Sequence, residues 1–144
     1  MLAISIDLIC YFSQHSMERK GRSHPLGVQE QWFEAIRCGK KTVEGRLWND
    51  KRKEIKVNDT IEFTCGEKKL TVVVAKIVVY VGENALDKYI VGETLEKILP
   101  GVETLEEARK IYLMYLGEGT TDDEKMKSID KIGMVGFHIV NARE

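Results

Sequence analysis

A lysine, a carboxylate and an arginine lie close together in the sequence as Lys41, Glu44 and Arg46. Ammonium and guanidinium groups can bind phosphate or stabilise an oxyanion, and a carboxylate can act as a general acid or base. A lysine whose pKa is lowered by a neighbouring cation can also serve as a base or a nucleophile. These three residues are therefore the first candidates for a binding or catalytic site.

A short amphipathic helix is predicted directly before this group. Residues 29–38 carry the apolar side chains of one buried helical stripe, which are Trp32, Phe33 and Ile36. Gly39 follows, and a glycine readily adopts the left-handed conformation that ends a helix. We therefore expect the helix to end at Cys38 or Gly39, and we expect Trp32→Ala to destabilise the protein as a core deletion.

A strand is predicted over residues 43–48, because polar and apolar side chains alternate there. Glu44 and Arg46 would share one face of this strand, about 7 Å apart at the usual rise per residue. Lys41 would reach the same region from the preceding turn. Three charged groups are thus expected to converge.

Residues 39–47 and the aromatic-bearing helix before them resemble the ASCH domain family of the PUA-like superfamily. The family motif G-x-K-x-x-E-x-R falls on Gly39, Lys41, Glu44 and Arg46. The likeness continues in the turn and strand N-D-T-I-E-F at 58–63, in the β-rich run 70–81 and in the closing strand 133–140. Asn58 stands where the family usually has glycine, which asparagine can replace because it tolerates positive φ.

This resemblance implies an α+β fold, a small PUA-like open β-barrel surrounded by several helices. Residues 24–144 would form the ASCH domain, and residues 1–23 would be an N-terminal extension or a first strand. PUA-like domains as a family are associated with RNA, so we expect binding of RNA or a modified nucleoside in a basic cleft beside the motif. Besides the motif, basic side chains would hold the phosphate groups of the ligand, and an aromatic ring would stack on its base. The expected binding residues are Arg46, Trp48, Lys40 and Thr42.

The resemblance also implies an alternative as a small hydrolase. One branch of small ASCH proteins hydrolyses the amide of acetylated cytidine, using the motif lysine, a threonine three residues later and a downstream glutamate. Lys41 matches the lysine, but Glu44 stands where that branch has threonine, and Thr42 is a substitute hydroxyl. The downstream candidates are Glu83, Glu93 and Glu103. Other members are ribonucleases, so both hydrolytic reactions stay open, with Lys41 and Glu44 as the candidate catalytic residues.

A structural role for the motif is a third alternative. Glu44 could pair with Arg46 or Lys41 only to fix the turn, as partly buried ion pairs often do. If the motif is instead the functional site, Lys41→Ala should remove binding or activity with little loss of stability.

Length and composition indicate a single domain and give no sign of a membrane span. With 144 residues and 43% apolar content the chain suits one domain, and no apolar run approaches a membrane span. The net charge is −1, although residues 37–56 carry eight basic and three acidic residues, among which Trp48 is placed to stack a base. Neither metal nor cofactor is implied. We expect a soluble, intracellular, cytoplasmic protein.

Cysteines and histidines are too scattered to suggest a site. Cys10, Cys38 and Cys65 are expected to be reduced thiols, the latter two as small buried hydrophobic residues. His24 is expected to be solvated or to support a cap.

Further elements follow from periodicity and turn residues. Strands are predicted near 60–65, 69–81 and 132–140, with a tight turn at 66–68 and a bend or bulge in the second strand. Helices are predicted at 84–90, 94–99, 104–116 and 121–128, the third with Thr104 and Glu107 as a capping box.

Overall fold

A curled, mostly antiparallel sheet is the centre of the computed structural model, which describes residues 3–5 and 21–142. The strands are β1 (Ala3–Ser5), β2 (Ser23–Gly27), β3 (Val43–Leu47), β4 (Thr60–Cys65), β5 (Lys68–Tyr80) and β6 (Met134–Asn141). The helices are α1 (Glu30–Arg37), α2 (Ala85–Glu93), α3 (Leu95–Ile98), α4 (Leu105–Leu113) and α5 (Asp122–Ile132), with a 3₁₀ turn at Arg52–Glu54. Most of the expected extension over residues 1–23, including Cys10, lies outside the described residues.

The sheet is an open barrel. Its main strand order is β2-β4-β5-β6-β3, and β1 pairs with the far end of β5. Only β2 and β4 pair in parallel among the described strands. The two end strands approach each other, since the Arg46 Nη2 on β3 donates to the Gly27 carbonyl on β2 at 2.9 Å. The predicted α+β, PUA-like architecture is confirmed.

Two apolar clusters hold the sheet from its opposite faces. Alternate side chains of β5 supply both of them, with Ile77 in the first and Val78 in the second. The first cluster fills the concave side and includes Phe33 and Ile36 of α1. The second joins the other face to the helices α2 to α5. The sheet is therefore covered on both sides.

The bend predicted in the long strand is present. The register between β5 and β6 shifts between Val74 and Lys76, which places one extra residue in β5. The predicted hairpin is confirmed as well, because Cys65 pairs with Lys68 across a turn that starts at Gly66, with φ 61°. Asn58 has φ 73°, as expected of a residue that replaces glycine.

Several elements differ from the prediction. The helices predicted to end at 90 and 128 continue to Glu93 and Ile132. The helix predicted to run to residue 116 ends at Leu113, and the next residues continue as tight turns. The sequence did not predict β2, because it contains Pro25, but an edge strand tolerates proline.

Three expectations about single residues have mixed outcomes. The prediction that Cys38 is buried is wrong, since it caps the exposed end of α1, while Cys65 is half-buried. His24 supports the fold, because its Nε2 lies 2.8 Å from the Oδ2 of the buried Asp59. Thr104 accepts a hydrogen bond from the Glu107 amide, as predicted for a helix cap.

Thr94, between α2 and α3, has φ 79° and ψ 142°, which a β-branched residue seldom adopts. Since such strain costs about 1 to 3 kcal/mol and glycine in its place costs about 1, Thr94→Gly should raise the free energy of unfolding by up to about 2 kcal/mol. Urea denaturation measures this. Thr104→Gly is the control, because Thr104 has φ −128° and caps α4. Equal destabilisation by both substitutions would contradict the prediction.

Candidate ligand-binding site

Lys41 is buried two residues before β3, with 3% of its surface exposed. Its Nζ donates to the carbonyls of Val43 at 2.8 Å and of Ile98 at 2.5 Å. The same Nζ lies 3.2 Å from Oε1 of Glu44. An ammonium has three N–H donors, so these three acceptors satisfy it completely.

Glu44 links this lysine to Arg46. Its Oε2 accepts a hydrogen bond from Nε of Arg46 at 2.8 Å, and Nη2 of Arg46 lies 2.8 Å from the same oxygen as an ion pair. Nη2 of Arg46 also donates to the Gly27 carbonyl. The two N–H groups on Nη1 have no acceptor among the residues that the structure describes. Arg46 therefore closes the seam of the barrel while keeping part of its donor capacity for a ligand.

Burial and charge determine the protonation of this group. Burial lowers the pKa of Lys41, and the attraction of Glu44 offsets part of that effect. Burial alone would raise the pKa of Glu44, but Lys41 and Arg46 together lower it below its ordinary value. We infer that Glu44 is ionised at neutral pH between its two cations.

Lys41 also fixes the position of α3. Its contact with Ile98 lies at the end of that helix, and the amide of Thr42 donates to the Lys97 carbonyl at 3.0 Å. Its replacement would leave Glu44 with one cation and the end of α3 without its donor. Because of this burial we now expect Lys41→Ala to lower stability as well as any binding, whereas the sequence predicted little loss of stability.

A cavity of about 560 Å³ lies at the seam between β2 and β3. Its walls come from the loop before α1, from α1 itself, from the β4–β5 turn and from the end of α4. The aromatic residues of the wall are Trp32, Tyr112 and Tyr115, and its polar side chains include Gln29, Thr64 and Arg46. Gln29 Nε2 donates to the hydroxyl of Tyr115, which joins the two sides of the mouth.

The structure brings some of the predicted site residues together and separates others. Lys41, Glu44 and Arg46 all line the cavity. The other residues predicted from the sequence do not line it, and they are Lys40, Thr42, Trp48, Glu83, Glu93 and Glu103. Trp48 packs against the concave core instead, with Lys53 Nζ 5.8 Å from its ring centroid. Glu93 is buried between Tyr80 and His138.

Sequence reasoning missed most of the aromatic wall. Trp32 was expected in the core, but it is only half-buried, and Phe33 and Ile36 form the buried stripe of α1. Adjacent residues on a helix point about 100° apart, so Trp32 and Phe33 could not both face the core fully. Tyr115 matched the helical spacing of α4, although it lies beyond the helix end and is 60% exposed. Tyr112 and Tyr115, three residues apart at the end of the predicted helix, were the available sequence signal.

These features define a PUA-like half-barrel with a cavity at its open seam. The chain belongs to the ASCH domain family, whose model matches residues 26–128, more than half of the chain. The predicted resemblance is therefore confirmed, and the family is a PUA-like one that is generally associated with RNA binding.

Solved structures similar to this protein include two that are 34% identical to it. One is the crystal structure of the hypothetical protein PH0355, with a TM-score of 0.68, 34% identity, and coverage of 83% of this chain and 99% of the other. The second is the solution NMR structure of protein PF0455 from Pyrococcus furiosus, with a TM-score of 0.64, 34% identity, and coverage of 85% and 99%. Among curated proteins, none matches the chain.

Two further observations concern metals and membranes. Within residues 3–5 and 21–142, no group of three or more His, Cys, Asp and Glu side chains is placed to hold a metal ion. None of the helices in that part of the chain has the length and apolar character needed to cross a membrane.

Proposed function

We propose that this ASCH domain binds RNA or a nucleoside by taking one base into the cavity at the barrel seam. The observation that carries the proposal is the pairing of an aromatic wall with a partly free guanidinium on one cavity. A volume of about 560 Å³ falls within the range of small-molecule sites. A single base with its sugar is a ligand of suitable size and chemistry.

Each part of the cavity has a counterpart in a nucleoside. The rings of Trp32, Tyr112 and Tyr115 offer stacking surfaces, which favour any flat base. The free N–H groups of Arg46 can donate to a carbonyl or ring nitrogen on the base edge. The net charge of −1 on the whole chain favours a short segment or a single unit over a long RNA.

The hydrolase alternative is supported by one observation. Lys41 lines the cavity, and burial lowers its pKa toward the range in which a lysine can act as a base or nucleophile. Against this, all its protons are already donated to protein acceptors. We therefore favour binding, with amide hydrolysis of acetylated cytidine or cleavage of RNA as outcomes that the same experiment detects.

Trp32→Ala should weaken ligand binding about tenfold or more, because loss of one stacking contact costs about 1 to 3 kcal/mol. The probes are the four ribonucleosides, N4-acetylcytidine and a labelled single-stranded RNA, with bound fraction and product formation followed together. Trp48→Ala is the matched control, since Trp48 does not line the cavity. The proposal fails if the folded wild type binds none of these probes, or if Trp48→Ala weakens binding while Trp32→Ala does not.

A further inference from the structure

Two buried tyrosine hydroxyls meet at the wall of the cavity. The hydroxyl oxygens of Tyr89 and Tyr112 lie 2.9 Å apart, which is a hydrogen bond that either group could donate. The Tyr89 hydroxyl also lies against Gly45, where an added Cβ would overlap it. Gly45 and Tyr112 line the cavity, whereas Tyr89 does not. The pair therefore lies at the motif strand, with Tyr112 on the cavity and Tyr89 behind it.

The protons of this pair determine which hydroxyl faces the cavity as a donor. Two hydroxyls carry two protons, but they form only one hydrogen bond with each other. Tyr89 is fully buried, and its hydroxyl has no second hydrogen-bond partner among the described residues. If Tyr112 donated the bond, the proton of Tyr89 would be buried without an acceptor, which is unfavourable. We infer that Tyr89 donates to Tyr112, so that the proton of Tyr112 is left for the cavity.

Tyr112 is a neutral donor in a fixed position. Burial raises the pKa of both hydroxyls, and the charge of Glu44 raises both further, so neither loses its proton at neutral pH. The ring of Tyr89 packs edge-on against those of Tyr80 and Tyr112, with centroids 5.9 and 5.5 Å away. These contacts hold the hydroxyl of Tyr112 in place.

The cavity wall does not take up the proton of Tyr112. Glu44 is the one carboxylate among the described residues that line the cavity. Its Oε1 is paired with Lys41 and its Oε2 with Arg46. Within the described part of the chain, the only hydrogen bond of the Tyr112 hydroxyl is the one with Tyr89. An acceptor for this donor therefore has to come from a ligand or from solvent.

We propose that Tyr112 is a specificity-determining residue, whose hydroxyl donates to a carbonyl oxygen or ring nitrogen of the ligand. The inference rests on the proposed function, in which that acceptor belongs to the edge of the bound base. A buried donor discriminates strongly, because a ligand without the acceptor leaves the hydroxyl unpaired. Tyr112 would thus select among bases by the position of their acceptors, whereas stacking favours any flat base.

Removal of this hydroxyl tests its role in binding. Tyr112→Phe keeps the ring and should weaken binding of the most tightly bound nucleoside about tenfold, as loss of a buried hydrogen bond would give. Tyr80→Phe is the matched control, since Tyr80 is a buried tyrosine that donates to Glu93 and does not line the cavity. It should leave the affinity unchanged, and urea denaturation checks that both variants fold. Equal affinity of the wild type and Tyr112→Phe would overturn the inference.

Nucleoside analogues identify the acceptor without any change to the protein. The carbonyl oxygens and ring nitrogens of the base are removed one at a time in deoxo and deaza analogues. We expect one analogue to bind the wild type about tenfold more weakly than the parent nucleoside. The same analogue and the parent should bind Tyr112→Phe equally. If no analogue loses affinity for the wild type, the inference is wrong even where the variant fails to fold.

A flat fragment separates this inference from the proposed function. N-methylpyridone has one carbonyl acceptor and no N–H or O–H donor, and ortho-xylene has a similar shape without the acceptor. If the pyridone binds the wild type more tightly than Tyr112→Phe and ortho-xylene does not, while no nucleoside binds, the donor stands and the base-binding function is wrong. If nucleosides bind but Tyr112→Phe weakens neither them nor the pyridone, the inference is wrong and the proposed function stands. Binding of neither kind of ligand would overturn both.

Discussion

Replacement of Glu44 with alanine is expected to lower the free energy of unfolding by about 3 to 5 kcal/mol, the usual cost of breaking a buried ion pair from one side. Lys41 is 3% exposed and would keep only its two carbonyl acceptors. Arg46 would lose the acceptor of its Nε and would hold the barrel seam through Gly27 alone. Guanidinium chloride denaturation at neutral pH measures the loss.

An exposed carboxylate provides the control for this substitution. Glu34 also has two basic neighbours, Arg37 at 2.7 Å and Lys68 at 3.5 Å, but its pairs lie on the surface. Surface pairs contribute little to stability, so Glu34→Ala should leave the denaturation midpoint almost unchanged. If Glu44→Ala also left the denaturation midpoint almost unchanged, the charged groups of Lys41, Glu44 and Arg46 would be solvated and not buried.

The pH dependence of the Glu44→Ala variant gives a second measurement. Burial already lowers the pKa of Lys41 below its ordinary value of 10.5, and without Glu44 the attraction that raised it is gone. Between the lowered pKa of the folded state and pH 10.5, the unfolded state binds more protons at this lysine than the folded state, so stability should rise with pH in that window. In the wild type, the lowered pKa of Glu44 means that its stabilisation is present above pH 4.5 and lost as the pH falls further.

Replacement of Gly45 with alanine should lower the free energy of unfolding by about 3 kcal/mol through overpacking. A Cβ at this position would lie 2.1 Å from the hydroxyl oxygen of Tyr89 and 2.3 Å from its Cζ. Tyr89 is fully buried, and its hydroxyl is 2.9 Å from that of Tyr112, so the ring has no room to withdraw. Since Tyr112 also lines the cavity, ligand affinity should fall together with stability.

Gly27→Ala is the matched control for Gly45→Ala. Gly27 is also a strand glycine that lines the cavity, yet the nearest atom to an added Cβ is Thr64 Oγ1 at 4.0 Å. Its substitution should change the free energy of unfolding by less than about 1 kcal/mol. Thermal denaturation of both variants tests the contrast, and equal losses would show that Tyr89 does not constrain position 45.

The geometry of the motif could be predicted because it is determined by residues that are close together in the sequence. Alternation along β3 places Glu44 and Arg46 on one face, and Gly39 has φ 83° where it ends α1. The bulge in β5 also follows from a strand too long to remain flat. In each case the residues that decide the geometry are neighbours in the chain.

The cavity and the burial of Lys41 could not be predicted because they depend on distant parts of the chain. The acceptor that holds Lys41 in place belongs to Ile98, 57 residues later. Gln29 contacts Tyr115, which lies 86 residues later, and no local sequence pattern predicts that these two residues are in contact. Trp48 shows the same limit, since a tryptophan among basic residues looks like a stacking residue until tertiary packing places it against the core.

The pairing of β3 with β6 has a consequence for how the site is assembled during synthesis. Val43 pairs with His138, so the motif strand finds its partner in the last strand of the described chain. Every cavity-lining residue lies at or before Leu116. A nascent chain that has left the ribosome only as far as α5 therefore contains the cavity-lining residues but lacks β6, the strand that pairs with the motif strand β3. Ligand binding should therefore begin abruptly when β6 leaves the ribosome.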